Sequence, residues 1–78
     1  MNINYIKNTA VNLAHKWILG KKNEVVEQYC SMDLGVKEHY ALGRLIETYI
    51  LCIERQISRH EAVQRQKEIF MKAEELEL

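Results

Sequence analysis

The chain has 78 residues, 47% apolar and 28% charged, with no proline, three glycines and equal numbers of basic and acidic side chains, 11 of each. This balance excludes a disordered or membrane-spanning chain, and zero net charge gives the whole molecule no general attraction for phosphate backbones, so nucleic acid is not an expected partner. A chain this short buries only about 60% of its unfolded surface, so one domain over residues 1–78 with a thin core is expected.

Charge is nonetheless uneven along the chain. Residues 1–22 carry Lys7, Lys16, Lys21 and Lys22 with no acid, whereas residues 23–38 carry Glu24, Glu27, Asp33 and Glu38 against Lys37 alone. The apolar run at residues 50–53 is far below the roughly 18 residues that span a bilayer, and the start, MNINYIKN, lacks the basic and apolar blocks of a signal peptide. A cytoplasmic protein with no membrane partner is expected. Cys30 and Cys52 have no metal-like spacing and are expected to be reduced core residues.

In chain order, the spacing of Ile3, Ile6, Ala10, Leu13 and Trp17, widened by Ala14 and Ile18, predicts a helix over 3–19. Asn2 or Asn4 can cap its start and Gly20 suits a left-handed residue at its end. The Lys16, Lys21 and Lys22 cluster there suits the helix dipole. Asn23 and Glu24 predict the start of a short second helix over 23–33, with Val25 or Val26, Tyr29 and Met32 or Cys30 inward and residues 34–35 as its stop.

The longest helical pattern follows over 36–56, with Leu42, Leu45, Ile46, Tyr49, Ile50, Cys52, Ile53 and Ile57 on its apolar arc. Residues 50–53 cover most of the helix circumference, so this third helix is expected to be the centre of the domain. Gly43 in its middle costs about 1 kcal/mol against alanine and is expected to admit a neighbouring helix backbone. Tyr40 and Leu51 interrupt the polar arc, with Arg44 and Glu47 between them. Because Tyr and Arg are favoured interface anchors, the line Tyr40, Arg44, Glu47 and Leu51 is the expected partner-binding site. Ser58 followed three residues later by Glu61 predicts a capping box that opens a fourth helix over 58–76, joined to the third as an αα-hairpin. Its inner stripe is Ala62, Val63, Gln66, Ile69, Phe70, Ala73 and Leu76; Met71 points elsewhere, and Glu74, Glu75 and Glu77 at the wrong end of the dipole are expected to fray the last turn.

A search for chemistry yields no catalytic, cofactor or metal set. His15, His39 and His60 lie in no metal-binding spacing, neither serine has a nucleophile-elbow context, and no glycine-rich phosphate loop is present. The expected fold is all-α, a small four-helix bundle with a central third helix and a C-terminal αα-hairpin. The expected function is a non-enzymatic protein–protein interaction module that occupies the surface of another protein, of the inhibitor or adaptor type carried by phages and mobile elements, such as an anti-defence protein. A homodimer that covers the exposed line is a related expectation. The alternative is a helix-turn-helix DNA-binding regulator using the helix at 58–70, opened by residues 57–59 with Ala62 and Arg65. Against it, Arg55 and Gln56 stand where such a turn normally has an apolar residue and a glycine.

Overall fold

A computed structural model describes residues 1–76, which form four α-helices and no strand: α1 (Ile3–Ile18), α2 (Lys22–Ser31), α3 (Val36–Ile53) and α4 (Arg59–Glu74). The expected all-α, four-helix fold is the one found. α3 is central, packed against α1 and α4, while α2 packs on α1. α4 runs antiparallel to α3: Tyr49 hydrogen-bonds Gln66 near the turn, and Lys37 pairs with Glu74 at the far end.

Four fully buried large side chains anchor the core, Ile6 and Leu13 from α1 and Leu42 and Leu45 from α3. Each is worth about 1.5–3 kcal/mol of apolar transfer. Ala10, Ala14 and Ala41 are also fully buried, and their small side chains let α1 and α3 approach closely. The molecule measures 34 × 30 × 17 Å. Its short dimension is less than two helix diameters of about 10–12 Å, so α3 cannot be covered all round.

Local signals explain the helix ends. Asn2 Oδ1 accepts from the Tyr5 amide at 3.0 Å and caps α1. Gly20, at φ 88°, ends that helix in a Schellman motif, its amide bonding the Trp17 carbonyl and that of Lys21 bonding Lys16. α2 then starts at Lys22 without a side-chain cap, so the expected cap Asn23 lies inside the helix. The Schellman motif brings the chain round so sharply that the next helix begins at once. Gly35 likewise does not stop α2, which ends at Ser31; it precedes α3 as its N-cap residue.

α3 ends three residues earlier than the periodicity predicts. Arg55 takes φ 62°, the Arg55 amide bonds the Cys52 carbonyl and the Gln56 amide bonds that of Leu51. This is again a Schellman motif, with arginine where glycine is favoured, a conformation that costs an L-residue roughly 1–2 kcal/mol. Arg55→Gly is therefore expected to raise the unfolding free energy by about 0.5–1 kcal/mol in urea denaturation, after allowance for glycine's extra unfolded-state entropy. No gain, or a loss, would mean that the arginine side chain contributes more to this turn than its backbone strain costs.

At α4, Ser58 Oγ accepts from the Glu61 amide at 3.0 Å, as expected. The reciprocal half of the capping box is absent, because Glu61 Oε2 accepts from Arg65 Nη2 at 2.8 Å, an i,i+4 pair that takes the carboxylate. The helix ends at Glu74 and Leu76 lies beyond it; the part of the expected fraying that falls on Glu77 is outside the described residues.

Burial departs from the expected arcs at several places. Ile3 and Ile18 of α1 and Val63 of α4, expected on inner stripes, are exposed at the edges of those stripes. None of residues 50–53 is fully buried: Ile50 packs on the edge of the core, Leu51 and Cys52 are half-buried and Ile53 is exposed. Thr48, expected on the polar arc, is buried, and its hydroxyl is satisfied by donating to the Arg44 carbonyl at 2.9 Å. Both cysteines are free thiols, but Cys30 is exposed rather than core.

Candidate binding groove

α2 has 10 residues, about 15 Å, against about 27 Å for α3, and it packs chiefly on α1, so it does not close over α3. The surface left open between the two helices includes the C-terminal half of α3. An open groove of about 440 Å³ lies there. It is lined by Trp17 of α1, by Val25, Val26 and Tyr29 of α2, and by Gly43, Ile46, Glu47, Ile50 and Leu51 of α3. Val25 is buried as the anchor of α2 on the core, which leaves the adjacent Val26 about half exposed at 51%. Neighbouring helix positions point about 100° apart, so only one of these two valines can face inward.

Tyr29 and His39 tie α2 to α3 beside the groove. The Tyr29 hydroxyl donates to the His39 carbonyl at 3.0 Å, and His39 Nε2 lies 2.8 Å from the Tyr29 carbonyl, so each side chain bonds the other's backbone. That geometry requires a proton on Nε2. The two rings meet edge-on with centroids 4.4 Å apart. Gly43 lies under the tyrosine ring: a β-carbon there would stand 2.7 Å from the hydroxyl. The expected close approach at Gly43 is thus real, but it is made by the Tyr29 side chain rather than a helix backbone. Burial, with a smaller contribution from neighbouring Cys30, pushes the Tyr29 phenol above its ordinary pKa.

The charged rim is sparse. Lys22 Nζ sits 5.3 Å from the centre of the Trp17 ring, an exposed cation–π contact, while Lys16 is turned away to Glu24 and Gln28, at 3.3 Å each. The basic cluster is therefore divided between a surface ion pair and the rim of the groove. Glu47, on the opposite rim, forms no salt bridge among the described residues.

The expected line Tyr40, Arg44, Glu47 and Leu51 is not a single surface. Leu51 belongs to the apolar groove, whereas Tyr40 and Arg44 open onto a second, polar groove of about 360 Å³ between α3 and α4, faced by Arg65, Glu68, Ile69 and Lys72. Glu47 borders both. Arg44 does not reach Glu47; its guanidinium lies over the Tyr40 ring at 5.9 Å. The line is the crest between two grooves, with Tyr40 and Leu51 half-buried and Arg44 and Glu47 exposed. Trp17 and Val26, which sequence reasoning assigned to inner faces, are the residues it missed; the adjacent valines were the available signal.

Among the described residues no group of three His, Cys, Asp or Glu side chains converges, and no helix is long and apolar enough to cross a membrane. The groove presents apolar surface with isolated charges at its edges, an arrangement suited to holding apolar side chains. Comparison with protein-family models, with characterised proteins and with solved structures finds no match to this chain.

Proposed function

We propose that the protein is a non-enzymatic interaction module that occupies another protein's surface, with the groove between α2 and α3 as its principal contact and the crest of Glu47 and Leu51 as its edge. The observation that carries this reading is the open apolar groove in which Ile50 and Leu51, both only half-buried, lie beside the exposed Val26 and half-buried Trp17. Open apolar surface with an aromatic anchor and a polar rim is the anatomy of a protein-binding patch. Inhibitors and adaptors of phage or mobile-element origin, anti-defence proteins among them, act in this way, by occupancy and without chemistry.

The test is affinity capture with two variants compared against the parent chain. Val26→Asp with Leu51→Gln places a charge and an amide in the groove and is expected to abolish capture of the partner, whereas Tyr40→Ala on the other side of the crest is expected to retain it. The opposite pattern would move the contact to the polar groove, and equal capture by all three would remove both.

The DNA-binding alternative gains one observation and loses another. Arg55 supplies the left-handed turn residue that the sequence lacked. However, α4 lies antiparallel along α3, whereas a DNA-reading helix pair crosses at about 90–120°, and Arg65 is engaged by Glu61. The interaction reading is therefore the better supported.

A further inference from the structure

One element outside the groove carries the same pattern in reverse. On α4, Val63 and Met71 are exposed, at 47% and 67%, with the exposed Lys67 midway between them. These positions are spaced i, i+4, i+8 and form one ridge about 12 Å long. The groove wall on α3 has the same spacing: Gly43, Glu47 and Leu51 are also i, i+4, i+8, with the acid in the middle. Neither Lys67 nor Glu47 forms a salt bridge among the described residues.

We infer that the groove is filled by α4 of a second copy of this chain, with Lys67 opposite Glu47 and Val63 and Met71 entering the apolar space on either side of that pair. The inference rests on the groove being a protein-docking surface, as proposed above, and names its occupant. Charge and spacing both match. Since each charge is central in its own ridge, they meet whichever way α4 runs along the groove. Two i±4 ridges lie parallel when their helices cross at about −50°, the commonest packing of helices in globular proteins. The contact is two helical turns long, so the association is weak and reversible, and another protein with a similar helix face would compete for it.

The test is sedimentation of the full chain from about 10 μM to about 1 mM, the range in which a small contact associates. Concentration-dependent association is expected for the parent chain. Glu47→Lys and Lys67→Glu are each expected to weaken it about tenfold or more, because like charges then face one another. The double variant Glu47→Lys with Lys67→Glu is expected to restore it. Both residues are exposed, so the variants should fold, which the helical circular dichroism signal checks. A parent chain that stays monomeric throughout overturns the inference, as does association that the double variant fails to recover. Partner capture that depends on Val26 and Leu51 would stand in either case, so the two readings fail separately.

Discussion

Leu42→Ala is expected to lower the unfolding free energy by about 3 kcal/mol, within the 2–5 kcal/mol range for emptying a large buried aliphatic site. Leu42 is fully buried in α3, the helix that holds α1 and α4 together. A chain of this length has roughly 4–12 kcal/mol of stability in total, so the variant should unfold at a much lower urea concentration when the helical circular dichroism signal is followed. Ile53→Ala, at a position 37% exposed, should cost about 0.5 kcal/mol. Comparable losses for the two would mean that the C-terminal end of α3 is core after all.

Gly43→Ala is the second substitution with a large expected effect, and its sign is opposite to that of ordinary helix propensity. Alanine in place of a mid-helix glycine normally adds about 1 kcal/mol. Here the new methyl group would stand 2.7 Å from the Tyr29 hydroxyl, which is held in place by its bond to the His39 carbonyl. Moving the ring forfeits that hydrogen bond and strains the packing, about 1 and 1–3 kcal/mol respectively, so a net loss of about 1–3 kcal/mol is expected. In a Tyr29→Phe background the hydroxyl is gone and the same alanine should be close to neutral or stabilising. That change of sign, read as a double-mutant coupling of about 1 kcal/mol or more, separates the ring contact from a general intolerance of the site. Additive effects would show that Tyr29 does not limit the space at Gly43.

Features fixed by neighbouring residues were readable in the sequence. The Asn2 and Ser58 caps and the left-handed Gly20 depend on a few adjacent positions, and each forms as its residue type predicts. Arg55 was not readable, because nothing local marks an arginine for a left-handed turn; the short path from α3 into its antiparallel neighbour imposes it. The start of α2 escaped for a related reason: the compact end of α1 leaves no residues for a separate cap at Asn23.

The groove was the least legible feature. Periodicity reports how apolar each face of a helix is, and residues 50–53 are apolar on nearly every face, but it carries no information about which neighbour is long enough to cover them. Coverage depends on α2, which packs chiefly on α1 and leaves a groove beside α3, and on the choice between Val25 and Val26, which only packing against α1 makes. Tyr40, Arg44, Glu47 and Leu51 were recognisable as one row on α3. Their division between two grooves follows from where α2 and α4 lie, which the row itself does not encode.

The central claim is that the apolar surface made by Val26 and Leu51 belongs to binding and not to the folded core. Urea unfolding of Val26→Asp with Leu51→Gln tests it most directly. The expected result is a parent-like helical signal, one cooperative transition and a stability within about 1 kcal/mol of the parent, as for substitutions away from a core. A variant that is unfolded, or that loses as much as Leu42→Ala, would place these residues in the core and contradict the proposed groove.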